Sequence, residues 1–217
     1  MKRNEVFIVA GGPSLIGFDF TCLRNKDTIV VNKSIFDVPT PDYFITVDYT
    51  FLRKIRSKKA VFDSITPTKI FVADFHCKYL REKKGRIVDI RTNLVYELHD
   101  FDVIIKAKQI AGIGYTYNDF RTGTNSGYCA LQLAVLLGYT EIYLLGVDLT
   151  QTETTHYHGG YGERPSSFNA KIPLYANRFK TGLVQIKQDN AGIEVISCSS
   201  ISVLNKVIPY QDIKEIL

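Results

Sequence analysis

Glu5-Val6-Phe7-Ile8-Val9-Ala10-Gly11-Gly12-Pro13-Ser14 is the stretch that decides the fold of this chain. The apolar run Val6 to Ala10 breaks abruptly into Gly11-Gly12-Pro13-Ser14-Leu15. A short, continuous apolar run reads as a strand buried on both faces of a parallel sheet. The two glycines remove side chains and permit positive φ, so backbone N–H groups can approach a ligand. Ahead of a helix, such N–H groups favour an anion. Pro13 suits a first-turn position, where its missing donor costs little. The plainer alternative is a strand-to-helix turn with no ligand. The turn is neither the dinucleotide fingerprint, whose third glycine is absent, nor a phosphate loop ending in Gly-Lys-Ser/Thr.

The same alternation of apolar run and turn recurs down the chain. Thr28–Val31, Tyr43–Val47, Lys69–Ala73, Glu141–Gly146 and Ile193–Ser197 read as strands, with Arg86–Asp89 and Val103–Ile105 as shorter ones. Ser126 to Leu137 reads as a helix with a broad apolar face, capped by Thr124-Asn125-Ser126 and stopped by Gly138. Pro173 to Gln188 reads as a second helix and Gln211 to Leu217 as a short one. Residues 90–122 show no clear period and fit an insertion. Residues 150–170, rich in Thr, Gly, His, Tyr and Ser, read as a long loop or reduced lid. The expected fold is α/β. It is a single Rossmann-like domain over 1–217, with a mostly parallel sheet and helices on both faces.

Composition narrows the function. The 217 residues carry a formal charge of +5 and are 45% hydrophobic, which is normal for a globular core. The basic residues are scattered, apart from Arg53-Lys54-Ile55-Arg56-Ser57-Lys58-Lys59 and Arg81-Glu82-Lys83-Lys84. These runs read as solvated helix ends or loops. They leave room for contact with a phosphate, an anionic glycan or a membrane surface. No aromatic interleaving points to nucleic acid. Cys22, Cys77, Cys129 and Cys198 lack paired spacing and read as reduced, mostly buried thiols. No apolar stretch follows Met1-Lys2-Arg3 and no run is long enough to span a bilayer, so the cytoplasm is expected. Oligomerisation is left open.

In open parallel sheets, ligands bind beyond the carboxyl ends of the strands. The polar groups there are Gly11 to Ser14, Asn32-Lys33-Ser34, Asp48, Asp74, Asp148 and Thr150. Thr122-Gly123-Thr124-Asn125-Ser126-Gly127 is a second small-residue turn opening a helix, able to offer N–H groups and hydroxyls to phosphate or simply to cap. Two such turns fit a nucleotide diphosphate or a nucleotide sugar better than either alone. In the long loop, His156-Tyr157-His158-Gly159-Gly160-Tyr161 supplies imidazoles suited to general-base work, between glycines that suit a lid. No nearby Cys or carboxylate other than Asp148 completes a metal site. His76 and His99 have no supporting context.

These residues resemble the bacterial sialyltransferases of the Campylobacter lipooligosaccharide type. More broadly, they resemble a family that includes motility accessory factors and archaeal hydroxymethylpterin diphosphokinase. The resemblance runs in order through Phe7 to Leu15, Val31-Asn32, Thr124 to Gly127, Leu137 to Asp148 and Gly192 to Ser199. It implies a modified nucleotide-binding α/β fold using a CMP-linked donor without metal, and a role in lipopolysaccharide biosynthesis. By position, Gly11, Gly12 and Ser14 match the loop along the donor nucleotide. Asn32 matches a base-contacting asparagine. Ser126 and Gly127, with Thr124 and Asn125, match the helix start holding phosphate and ribose, and Asp148 matches the aspartate ending the Gly-Val-Asp strand. Thr155-His156-Tyr157 looks like the context of the family's catalytic histidine, making His156 the implied base and His158 the alternative.

The chain also departs from that pattern. The family's tyrosine two residues after the aspartate, which assists the phosphate leaving group, is Thr150 here. A second tyrosine falls near Thr155 or His156. Each positioned donor to a developing charge is worth about 3 to 4 kcal/mol. Helix-end N–H groups, Thr150, Arg121 or a metal held by Asp148 must therefore substitute. The expected activity is glycosyl transfer from a CMP-type nucleotide sugar to a glycan acceptor with a histidine base. One alternative is an ATP- and Mg²⁺-dependent diphosphotransferase with Asp48 and Asp148 as ligands. The other is a nucleotide-binding protein without catalysis.

Overall fold

The computed structural model describes residues 4–49, 51, 55, 57–74, 80–83, 86–89, 94–98, 100–160, 162, 164–190 and 192–217. In chain order the strands are β1 (Glu5–Val9), β2 (Thr28–Val31), β3 (Tyr43–Thr46), β4 (Thr68–Asp74), β5 (Leu80–Lys83), β6 (Arg86–Asp89), β7 (Leu94–Glu97), β8 (Val103–Ala107), β9 (Glu141–Leu145) and β10 (Glu194–Ser197). The helices are α1 (Lys59–Ser64), α2 (Ser126–Leu137), α3 (Pro165–Asn169) and α4 (Ile172–Asp189). Seven strands form one sheet in the order β10-β9-β1-β2-β3-β4-β8. Every pairing in it is parallel. The α/β class and parallel sheet expected from the sequence are what the chain adopts.

The sheet is buried on both faces, as its continuous apolar strands require. Alternate residues face opposite ways. Val6, Ile8, Ile29, Val31 and Ile45 face one way and pack with Leu131, Ala134, Phe179 and Leu183 of α2 and α4. Phe7, Val9, Val30 and Phe44 face the other and pack with Phe62 of α1, Phe71 and Phe101. That second layer is aromatic: Phe44 meets Phe62 edge-on at 5.6 Å, and Phe71 lies 5.3 Å from Phe101. Each such buried ring contributes about 2 to 3 kcal/mol, so this face needs no long helix to cover it.

Helix α2 begins and ends where the sequence predicts. Asn125 caps it by accepting the Tyr128 N–H, and Gly138 closes it at φ +79°. Two expectations change. The strands predicted to reach Ala10, Val47 and Gly146 end one residue earlier, because the chain turns at the sheet edge there. The Gln211–Leu217 helix shrinks to the single 3-10 turn Ile213–Glu215. Residues 75–102, where the sequence predicts only the strand Arg86–Asp89 before an insertion from residue 90, contain the antiparallel sheet β5-β6-β7. Among its described residues the 150–170 loop holds no strand, and it ends in α3. Among the described residues no helix is long and apolar enough to cross a membrane. Cys77, His76, His99, Tyr161, Arg53, Lys54, Arg56 and Lys84 lie outside the described residues, and Arg81–Lys83, expected at a helix end or loop, are in β5.

Candidate functional site

The strand order reverses direction at β1, with β2, β3 and β4 on one side and β9 and β10 on the other. A crevice opens at such a point beyond the strands' carboxyl ends. The register places Val9 opposite Leu145 and Val30, and Val31 opposite Ile45. Gly11, Asn32, Asp48 and Asp148 therefore share one edge. Backbone strain collects there too: Asn32, Thr124 and Leu149 adopt positive φ, at 54°, 62° and 51°. Non-glycine residues seldom do so, and such outliers cluster at functional sites.

The two glycine-bearing bends meet at this edge. A Cβ built on Gly127 would lie 4.0 Å from Ala10 Cβ, the last apolar residue before Gly11. Their amides, however, have different fates. Gly12 donates its N–H to the Gly146 carbonyl at 2.8 Å. Ser14 donates its N–H and its hydroxyl to Asp148 Oδ2 and Oδ1, at 2.8 and 2.6 Å. Only one 3-10 turn, Pro13–Leu15, follows, and neither Gly11 nor Gly12 uses positive φ. The expectation of a helix-backed anion nest at Gly12 and Ser14 is thus corrected: this bend is closed onto β9. The glycines serve close approach instead. A Cβ on Gly12 would sit 2.5 Å from both Asp148 Oδ2 and Gly146 O.

The second bend is open. Thr122 organises it, accepting the Asn125 N–H on its carbonyl and the Thr124 N–H on its hydroxyl. At the start of α2, the N–H groups of Ser126 and Gly127 have no acceptor among the described residues. Both residues are buried. A twelve-residue helix adds its dipole to those donors. Ser126 Oγ also accepts the Val47 N–H at 3.1 Å, tying the helix start to the end of β3.

The histidine loop lies over the first bend. Tyr157 donates its N–H to the Gly11 carbonyl at 3.0 Å. The His156 and His158 rings stack at 5.1 Å, and both approach within 3.0 Å of where a Gly11 Cβ would be. His156 Nδ1 bonds the Thr155 hydroxyl at 2.9 Å, and its ring packs on Phe168 at 4.7 Å. Tyr157 donates to Asp37 at 2.8 Å, and Lys33 Nζ donates to the Gly160 carbonyl. Both bonds fasten the loop to the end of β2. The sequence listed Lys33 only among polar strand ends. Its bond to Gly160, 127 residues away, could not be read locally.

Three groups proposed to replace the missing phenols are otherwise engaged. The Thr150 hydroxyl is held by the carbonyls of Asp148, at 3.1 Å, and Ile201. Arg121 forks onto Asp119 Oδ2 at 2.7 and 3.2 Å and reaches Ala111 O. Asp148 is 3% exposed with both oxygens on Ser14, which leaves the magnesium of the diphosphotransferase alternative poorly served. Among the described residues, no three His, Cys, Asp or Glu side chains gather to hold a metal.

No family model and no curated protein matches this sequence. Solved structures do share its fold. MAf glycosyltransferase from Magnetospirillum magneticum matches over 97% of this chain at 15% identity and a TM-score of 0.52. This chain spans only 34% of that protein. Sialyltransferase CstII from Campylobacter jejuni, in complex with the substrate analogue CMP-3FNeuAc, matches over 95% of this chain and 85% of its own, at 15% identity and TM-score 0.53. CST-II in complex with trisaccharide acceptor and CMP matches at 17% identity and TM-score 0.51, over 95% and 85%. The likeness is one of fold, extending over nearly the whole chain.

Proposed function

We propose that this protein is a glycosyltransferase that takes a sugar from a CMP-type nucleotide donor and passes it to a glycan acceptor. The observation that carries this reading is that the histidine loop covers Gly11 while the open α2 N-terminus approaches Ala10, so both border the same turn after β1. The N–H groups of Ser126 and Gly127, with Thr124, Asn125 and the Ser126 hydroxyl around them, receive the donor phosphate. Asn32 and Asp48, at the ends of β2 and β3, border the nucleoside. The Gly11-Gly12 tip forms the floor, and Ser14 and Asp148 hold that floor in place rather than touching phosphate. As the sugar–phosphate bond breaks, the helix N-terminus takes up the charge that the absent phenols would have met.

His156 is the base. In the tautomer that donates Nδ1–H to the Thr155 hydroxyl, Nε2 is unprotonated and takes the proton from the acceptor hydroxyl. The acceptor oxygen then attacks the anomeric carbon and the nucleotide leaves from the opposite face. His158, stacked beside it, is the alternative base. Thr150 braces the loop after Asp148. The likeness of fold to a CMP-binding sialyltransferase supports the choice of donor.

The test is a panel of nucleotide sugars with donor hydrolysis and glycan transfer as readouts. Turnover is expected with a CMP-linked donor. His156→Ala is expected to lower it by about a hundredfold or more without changing CMP affinity. No turnover of any donor, or full activity in His156→Ala and His158→Ala alike, rules this reading out.

A further inference from the structure

The end of β3 carries a buried hydroxyl with no role so far. Thr46 is fully buried. Its Oγ1 accepts the Asp48 N–H at 3.0 Å and lies 2.6 Å from Asn32 Oδ1. A threonine hydroxyl has one proton to give. With the Asp48 N–H on one lone pair, the hydroxyl donates that proton to Asn32 Oδ1. Asn32 Oδ1 is therefore an acceptor, and the hydrogen-bond network fixes the amide so that its NH₂ faces away as a donor. Left alone, an asparagine amide can turn over and offer either end. Here the buried threonine decides which end is offered.

Val47, the next residue, acts in the same sense on the other side. Its N–H occupies a lone pair of Ser126 Oγ, so the Ser126 proton remains available to donate. The three-residue end of β3 thus gives two site residues a common polarity. At Asn32 and Ser126 the crevice presents donors, next to the Asp48 carboxylate at the end of β3.

That polarity discriminates between pyrimidines. The O2 and N3 atoms of cytosine both accept hydrogen bonds. Uracil has the same O2 but carries a proton on N3. A donor-only amide reading this edge matches cytosine at both atoms and opposes uracil at N3. A site built around a hydrogen bond rejects a ligand of the wrong polarity strongly, because buried groups are left unmatched.

We propose that Thr46 is a positioning residue that makes the site prefer cytosine over uracil nucleotides, by holding Asn32 with its NH₂ outward. This rests on the nucleotide-sugar reading above and adds to it a cause for base choice. Thr46 touches no ligand and acts only through Asn32.

Calorimetry on the full chain with CMP, UMP and ribose 5-phosphate tests it. Wild type is expected to bind CMP about tenfold or more tightly than UMP, the scale of one unmatched hydrogen bond. Thr46→Val keeps the branched shape and removes the hydroxyl. It is expected to bring the CMP-to-UMP ratio close to parity while ribose 5-phosphate affinity stays unchanged, since phosphate rests on α2. Thr46→Ser is expected to restore the ratio. Asn32→Asp keeps the Thr46 bond but offers an acceptor, and is expected to shift preference towards UMP; it decides the matter if Thr46→Val fails to fold. A wild-type ratio near one, or a ratio unmoved in both folded Thr46→Val and Asn32→Asp, overturns the proposal. Wild type that binds neither CMP nor UMP overturns the nucleotide reading beneath it instead.

Discussion

The two glycine-bearing bends look alike in sequence and behave as opposites. Gly11 to Ser14 leaves a strand, opens one turn of 3-10 helix and engages the amides of Gly12 and Ser14 on β9. Gly123 to Gly127 opens a twelve-residue helix and leaves the amides of Ser126 and Gly127 without acceptors among the described residues. The first bend is a latch that holds β1 to β9; the second is, in the function proposed above, a cradle. Glycine marks close approach of protein in both, Asp148 and Gly146 at Gly12 and the Tyr128 ring at Gly123; only the second bend leaves helix amides for the ligand proposed above.

Substitutions can break this contrast. The largest effect is expected from Asp148→Ala. It strips both acceptors from Ser14 inside a buried site and should cost about 3 kcal/mol in chemical denaturation. Gly12→Ala follows, at about 2 kcal/mol, because its methyl has no room between Asp148 and Gly146. Both should act on stability first and on binding only through it. Ser126→Pro sharpens the contrast from the other side. Proline is tolerated at the first position of a helix, and Asn125 already has the extended backbone that precedes proline. Relative to Ser126→Ala, which loses the same bond to the Val47 N–H, stability should move by less than about 1 kcal/mol. CMP affinity should fall about tenfold below that of Ser126→Ala, which isolates the hydroxyl. If Ser126→Pro binds CMP as well as Ser126→Ala does, the cradle is no cradle. If Gly12→Ala is as stable as wild type, the latch is no latch.

Much of the sheet was legible because its signals are local. β1, β2, β3, β4 and β9 are short apolar runs ending at polar turns, and α2 carries its own cap and stop within fourteen residues, Asn125 to Gly138. β5 and β7 were missed: Leu80-Arg-Glu-Lys83 and Leu94-Val-Tyr-Glu97 are too short and too charged for a clear period. At the site, the residue types were legible and their duties were not. Ser14 carries the hydroxyl expected of a phosphate contact, yet its partner lies 134 residues away. Thr150 and Arg121 offer donors in the sequence that neighbours claim in the fold. Thr46 carries no local signal, since a threonine ending a strand is ordinary until its proton has a direction.

The sequence by itself determined a parallel sheet buried on both faces, the helix from Ser126 to Leu137 and the set of polar residues at the strand ends, because apolar periodicity, capping and turn chemistry act over a few residues. Only the tertiary structure decided which amides remain open, which end of Asn32 faces outward and which histidine loop covers the first bend. Those outcomes depend on hydrogen-bond partners brought from distant parts of the chain, and a donor's availability is settled by whether such a partner arrives.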